Sequence, residues 1–314
     1  MSSKTIVSSS PHLHSGESTQ LIMMDVIIAL IPTVMTSVWL FGWRVLGVIA
    51  VTVASCVASE YLSRLVLRRP QTVADLSAVV TGLLLAFNLP STVPLWQAAL
   101  GGVVAIVVVK QMFGGIGQNF VNPALVGRIV LLMSFPATMA TYENPTMVAD
   151  AISRATPLAA AQAGQPHDMI MMFFGVHGGS LGETCTAALL IGFVYLLIRR
   201  VITPTIPLVM TGTVFVLSWI IEGSASAGLY QVLAGGLILG AVFMATDYTT
   251  SPITPLGKVI FAFGCGALTV LIRYYGALPE GVSFAIVIMN ILVPLIERVT
   301  YSVPFGKKRG GTHA

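Results

Sequence analysis

The chain has 314 residues, of which 55% are apolar and only 9% are charged, and its mean hydropathy is +0.89. A soluble domain carries about 25% charged residues, so this composition excludes an ordinary soluble enzyme. The net charge of +4 does not indicate a nucleic-acid partner in so apolar a chain. At about 20 residues per crossing, the chain has room for up to about ten membrane spans and for no sizeable soluble domain.

Hydropathy predicts ten apolar helical segments, which makes the predicted fold an all-α polytopic membrane protein embedded in the lipid bilayer. The segments cover residues 22–42, 45–67, 76–90, 94–112, 122–138, 184–198, 204–221, 228–246, 257–275 and 282–303. The third is short and ends at Asn88-Leu89-Pro90, and the eighth runs into Thr246-Asp247 and a stretch rich in proline and threonine. Both are therefore predicted to be broken or partial helices that line a cavity.

The basic residues predict the orientation in the membrane. With the N-terminus in the cytoplasm and ten alternating spans, thirteen of the 16 lysines and arginines, Arg128 among them, lie on or near the cytoplasmic side, and only Arg44, Arg154 and Arg273 lie outside. Cytoplasmic loops carry an excess of lysine and arginine, so we expect both termini to be cytoplasmic. The chain then divides into a cytoplasmic tail (1–20), a first membrane half of five spans (21–138), an external loop (139–182), a second half of five spans (183–303) and a basic cytoplasmic tail (304–314).

A shift of 161 residues indicates an internal repeat. It brings VNPALVGRIVLL, from Val121, onto VSFAIVIMNILV, from Val282, and places Gly115 on Gly276. Each half then holds five spans, and an odd number forces the halves into opposite orientations. This is the inverted five-plus-five plan of many transporters, whose binding sites lie near the midplane between the halves. The alternative is compositional similarity between two apolar helices.

The segment KQMFGGIGQNFVNPALVGR, residues 110–128, is the densest polar and glycine-rich stretch at a span boundary. Its glycines allow tight turns, and the amides of Asn119 and Asn122 can both donate and accept hydrogen bonds to a planar polar ligand or an ion. The alternative is a plain helix–loop–helix connection, with Asn122 as the N-cap and Pro123 as the first helical residue. Arg128 lies about one and a half turns into the helix and needs a partner, which is a phosphate, a carboxylate or the membrane surface.

The external loop contains the sequence DAISRAT, with Asp150, Ser153 and Thr156 followed by a proline. By its residues alone this is a helix start or turn with hydroxyl caps, and no histidine beside the hydroxyls supplies a base for a catalytic nucleophile. The three cysteines lie far apart inside apolar runs, so we expect buried packing rather than a metal site.

Several longer motifs carry a resemblance that covers nearly the whole chain. They are SSPHLHSGESTQLIMMDVIIALIP, DLSAVVTGLLLAFNLP, KQMFGGIGQNFVNPALVGR, SRATPLA, HGGSLGETCTAALLIG and FMATDYTTSPITPLGKVIFAFGCGALTVLIRYYGALPEGVSFAIVIMN. With these motifs the sequence resembles the RnfD membrane-protein family of the Rnf ion-translocating electron transport complexes. It is similar, more distantly, to the B subunit of the sodium-translocating NADH:quinone oxidoreductases.

The resemblance implies that Thr156 carries FMN through a phosphoester bond to its hydroxyl, installed by a flavin transferase outside the cytoplasm. The family pattern is D-x-x-S-G-A-T, which Asp150, Ser153 and Thr156 match, whereas Arg154 replaces the glycine. Such an attachment would make the chain a flavoprotein.

The resemblance also implies a second, non-covalent flavin, riboflavin, which we assign to the region of Asn119, Asn122 and Arg128. The implied function is a component of a redox-driven ion translocase in the bacterial inner membrane. It passes electrons between NADH and ferredoxin, coupled to sodium or proton translocation, and acts only together with the other Rnf-type subunits. The alternatives are a passive channel or solute transporter of inverted-repeat fold, and a purely structural scaffold.

Overall fold

Fourteen helices make up the regular structure in the residues that this computed structural model describes, namely 18–143, 145, 156–162, 168–276 and 280–301. They are α1 (Thr19–Phe41), α2 (Arg44–Val66), α3 (Ser77–Phe87), α4 (Leu95–Gln111), α5 (Pro123–Ser134), α6 (Pro136–Met139), α7 (Pro157–Gln162), α8 (Met169–Phe174), α9 (Thr186–Ile198), α10 (Thr205–Glu222), α11 (Ala225–Leu233), α12 (Leu237–Met244), α13 (Pro255–Tyr275) and α14 (Val282–Thr300), with a 3₁₀ turn over Val73–Asp75. No strand occurs in these ranges, so the predicted all-α class is confirmed.

Each of the ten predicted apolar segments contains a helix, but the helices differ in length. Five of them, α1, α2, α10, α13 and α14, have 18 to 23 residues and are long and apolar enough to cross a membrane. Helices α11 and α12 form a sixth candidate, bent by 68° at its break, so the eighth segment is broken as predicted. Helices α3, α4, α5 and α9 are apolar and have 10 to 17 residues. Helix α3 is a short, uninterrupted helix that ends at Phe87, immediately before Asn88-Leu89-Pro90, so the third segment is a partial helix rather than a broken one.

Contacts at both ends of α1 show that α1 and α9 run in opposite directions. Arg199, just after α9, forms an ion pair of 3.1 Å with Asp25 near the start of α1. At the other end of α1, the Ser37 hydroxyl donates to the Leu181 carbonyl oxygen at 2.5 Å. We call the end of the bundle where α1 begins and α14 ends the tail face. The opposite end, which carries the described part of residues 139–182, is the loop face.

Close helix packing depends on small residues. A Cβ on Gly192 of α9 would lie 2.3 Å from the Ala29 carbonyl oxygen of α1, so only glycine permits this approach. Cys56, Cys185 and Cys265 are all buried and form no disulfide, which confirms their predicted place in the packing.

Candidate functional sites at the two faces

A cavity opens at the tail face, between the start of α1, the end of α9 and the residues that follow α12. We call it the tail-face cavity. Its volume is about 100 Å³. Apolar residues form most of its wall, and the polar lining residues are Ser77, Thr81, Lys110, Asn119, Asn122, Thr246, Asp247, Tyr248 and Thr249. The structure therefore brings Asn119 and Asn122 into one cavity, together with residues from both halves of the chain.

Asn122 holds the start of α5 in place. Its Oδ1 accepts hydrogen bonds from the backbone N–H groups of Ala124 and Leu125, at 3.0 and 3.4 Å, and Pro123 is the first helical residue. The N-cap interpretation is thereby confirmed. The Asn122 Nδ2 also donates to the Met244 carbonyl oxygen at 3.3 Å, which ties α5 to the end of α12.

Asn119 bridges the two halves in the same cavity. Its Nδ2 donates to the Val121 carbonyl oxygen and to the Thr249 hydroxyl, both at 3.2 Å. The turn before it needs glycine, because Gly115 has a φ of 108° and a Cβ there would lie 2.3 Å from an Arg64 nitrogen. The glycine-rich sequence thus places Asn119 on the cavity wall.

A buried ion pair lies beside this cavity, and sequence reasoning missed it. The Lys110 ammonium, in the π-helical end of α4, is 2.8 Å from Glu60 Oε2 of α2 and donates to the Ser77 hydroxyl at 2.5 Å. The other oxygen of Glu60 accepts from the Thr72 hydroxyl at 2.8 Å. Glu60 is a single carboxylate within an apolar helix, and a charge in that setting is a signal for a buried partner.

Asp247 closes the turn that follows α12 and faces the cavity. Its Oδ1 accepts from the backbone N–H and the hydroxyl of Thr249, at 3.1 and 3.0 Å, and its Oδ2 accepts from the Thr250 hydroxyl at 3.4 Å. Burial raises the pKa of this carboxyl above its usual value, and the hydrogen bonds from the two threonines only partly oppose the shift. The Asp247 carboxyl therefore holds its proton to higher pH than an exposed aspartate does.

Arg128 does not line the tail-face cavity. Its guanidinium is buried, donates to Asn88 Oδ1 and Ser283 Oγ at 2.9 Å each, and pairs with the Glu280 carboxylate. Ser283 is in the first turn of α14, so these bonds point away from the tail face. Arg128 and Asn119 were predicted to share one site, but in the folded protein they lie in different places. The partner of the Arg128 cation is the Glu280 carboxylate of the same chain.

Thr156 lies at the loop face, immediately before α7, and is 8% exposed. Its Oγ accepts a hydrogen bond of 3.4 Å from the Ala159 N–H, which agrees with a helix start capped by a hydroxyl. The Tyr230 hydroxyl donates to the Pro157 carbonyl oxygen at 2.8 Å and ties this segment to α11. The predicted neighbours Asp150 and Ser153 lie outside the described residues.

The chemistry of both places fits flavin. In the tail-face cavity, apolar walls such as Val80 and Leu84 suit the faces of a planar ring, while Lys110 and Asn119 supply polar groups for its edges. At the loop face, the Thr156 oxygen acts as an acceptor in its bond with Ala159. An ester oxygen keeps that acceptor capacity, so the local structure is compatible with a phosphoester there.

Apolar helices, one of them broken, buried ion pairs and a cavity at one end of the bundle define a polytopic membrane protein of the kind that moves ions or electrons. Comparison with known families agrees with this class and makes it specific. The chain belongs to the NQR2, RnfD, RnfE family, whose model matches residues 6–306.

Similar proteins cover almost the whole chain. The D subunit of the Na(+)-translocating ferredoxin:NAD(+) oxidoreductase complex of Acetobacterium woodii is 44% identical over 305 residues, covering 96% of this chain and 95% of the relative. The D subunit of the proton-translocating ferredoxin:NAD(+) oxidoreductase complex of Clostridium ljungdahlii is 41% identical, with 96% of both chains covered. The D subunit of the ion-translocating oxidoreductase complex of Stutzerimonas stutzeri is 40% identical, with 92% and 93% covered.

Proposed function

We propose that this protein is the D subunit of an Rnf-type complex, which couples electron transfer between NADH and ferredoxin to sodium or proton translocation. The observation that carries this proposal is the similarity to subunits of that name along 96% of the chain. The chain acts there as one membrane component among other membrane and peripheral redox subunits.

The proposal includes two flavins. FMN is attached to Thr156 by a flavin transferase, and riboflavin binds in the tail-face cavity without a covalent bond. A flavin accepts electrons in one-electron or two-electron steps, and the protein binds and tunes it. For riboflavin, Asn119 and Lys110 would hold the ring edges, and Asn122 keeps the cavity wall in shape through its cap of α5. Arg128 supports the structure between α5 and α14 instead.

We also propose that the chain crosses the membrane ten times as an inverted repeat. The spacing of the helices supports this, because adding 161 to the first residues of α2, α3, α4 and α5 gives 205, 238, 256 and 284. The helices α10, α12, α13 and α14 begin at 205, 237, 255 and 282. The same shift places Pro94-Leu95 on Pro255-Leu256, at the starts of α4 and α13.

The packing of the helices gives independent support for the repeat. Helix α2 packs against α3 and α4, and α10 packs against α12 and α13 in the same way. The contacts between the halves join α1 with α9 and α5 with α14, which are the pairs that the shift makes equivalent. A two-fold axis brings equivalent elements together, so this pattern favours a repeat over compositional similarity.

The proposed orientation has the tail face in the cytoplasm and Thr156 outside, in the bacterial inner membrane. The bias of lysine and arginine toward one side supports it. Arg128 no longer counts toward that bias, since its guanidinium is paired inside the bundle, but the twelve remaining cations still outnumber the three outside.

Fluorescence of the denatured protein tests the flavin attachment. The complex is separated on a denaturing gel under ultraviolet light, with Thr156→Val as the variant and Thr141→Val, another hydroxyl of the same loop, as the matched control. We expect a fluorescent band in the wild type and in Thr141→Val and none in Thr156→Val, with assembly unchanged. A wild-type chain without the band favours a channel or scaffold, and a band that survives in Thr156→Val refutes the attachment residue.

A further inference from the structure

A second cavity opens at the loop face, between α7, α10, α11 and the end of α13. We call it the loop-face cavity. Its volume is about 480 Å³. Leu158, Ala161 and Met169 form apolar parts of its wall, and Glu222 and Arg273 bring opposite charges to it. The tail-face cavity lies at the other end of the bundle, so the two cavities are separate sites.

The guanidinium of Arg273 is fixed in this cavity by backbone acceptors. It donates to the carbonyl oxygens of Gln231 and Ala234, at 2.5 and 2.9 Å, and to the side-chain oxygen of Gln231 at 3.3 Å. Arg273 is 4% exposed and Gln231 is 8% exposed. Because two backbone carbonyls and the buried Gln231 side chain hold the guanidinium, its positive charge has a defined position at the cavity wall.

Thr156 is within reach of this cavity. Leu158 lines the wall and is only two residues from Thr156, so the two Cα atoms are at most about 7 Å apart. The bond from the Tyr230 hydroxyl to the Pro157 carbonyl oxygen anchors the intervening residue on α11, which forms another side of the cavity. The ribityl phosphate arm of FMN is longer than this separation.

We propose that the loop-face cavity binds the isoalloxazine ring of the flavin carried by Thr156, with Arg273 and Glu222 setting its reduction potential. This inference rests on the proposed attachment of FMN. The apolar wall suits the ring faces, and the polar groups suit its pyrimidine edge. A flavin that takes up two electrons and one proton carries a negative charge on that edge. The Arg273 charge therefore stabilises the reduced ring, and the Glu222 carboxylate opposes it.

Two charge substitutions of opposite sign test the inference in the assembled complex. Arg273→Gln is expected to shift the reduction equilibrium of the covalent flavin at least tenfold toward the oxidised form, and Glu222→Gln tenfold toward the reduced form. Each shift corresponds to about 30 mV for a two-electron couple, lower and higher respectively. Lys258→Gln is the matched control, because it removes a charge from the tail-face end of α13 and leaves the potential unchanged.

The potential is measured by spectroelectrochemical titration, and the signal of the covalent flavin is the difference between each complex and the same complex with Thr156→Val. Gel fluorescence of the same samples reports attachment separately. Absence of the fluorescent band overturns the proposed attachment. A band with unchanged potentials in both charge variants overturns the cavity assignment alone. If Arg273→Gln fails to assemble, the sign of the shift in Glu222→Gln decides, since Glu222 is exposed at the cavity rim.

Discussion

Removal of one partner of the buried Lys110–Glu60 pair is expected to destabilise the protein more than removal of both. The charged atoms are 2.8 Å apart, and the two side chains are 3% and 0% exposed. At an effective dielectric constant of about 20, two unit charges at this separation attract by roughly 6 kcal/mol, which offsets the cost of burying them. A single substitution leaves the other charge buried and unpaired, at a cost of about 3–5 kcal/mol.

We therefore expect Lys110→Met and Glu60→Leu each to lower the free energy of unfolding by about 3–5 kcal/mol. In the double variant the free energy of unfolding is expected to fall by only about 1–2 kcal/mol. The Thr72 hydroxyl loses its acceptor there, but no buried charge is left without a partner. Reversible unfolding in mixed micelles, followed by tryptophan fluorescence, measures all three. Lys258→Met, at a cation that is only partly buried, is the control and should change stability by less than about 0.5 kcal/mol. A double variant that loses as much free energy of unfolding as the two single variants together would show that the two charges do not stabilise each other.

Three further predictions concern packing, capping and pH. Gly192→Ala is expected to lower the free energy of unfolding by about 1–3 kcal/mol, because its Cβ would meet the Ala29 carbonyl oxygen, whereas Gly212→Ala has open space and causes no such loss. Asn122→Ala should lower the free energy of unfolding by about 1 kcal/mol, because the N-cap of α5 is lost. Asn122→Ser should restore most of that stability in the same unfolding assay, because serine also caps a helix. The raised pKa of Asp247 means that the folded state keeps a proton that the unfolded chain releases above 3.8, so stability falls as pH rises through the folded pKa. Asp247→Asn should abolish that fall in thermal unfolding at successive pH values.

Each of the three predictions has its own contradicting result. Equal stability of the two glycine variants would show that α1 and α9 can separate at no cost. An Asn122→Ser variant as unstable as Asn122→Ala would assign the loss to the bond with Met244 rather than to the cap. A wild-type stability that rises with pH through the same range, by an amount that disappears in Asp247→Asn, would mean that the carboxyl is stabilised in its charged form.

Local features of this protein followed from the sequence alone. Hydropathy located a helix in each of the ten apolar segments, because the requirement for apolar length applies to each segment separately. The end of α3 before Asn88-Leu89-Pro90 and the cap formed by Asn122 and Pro123 were also predictable, since these residues act on the backbone within one turn. Burial of the three cysteines was predictable for the same reason, because each lies within its own apolar run.

The grouping of charges was decided only by the tertiary structure. Lys110 pairs with Glu60, which is fifty residues away in the sequence. Arg128 pairs with Glu280 and does not join Asn119, although Asn119 is much nearer in the sequence. The loop-face cavity likewise forms where α7, α11 and the end of α13 come together, and no spacing within one segment specifies that. Hydropathy identifies an apolar helix but not which of its faces meets which neighbour. A buried charge is therefore paired only when the helices that carry it pack together.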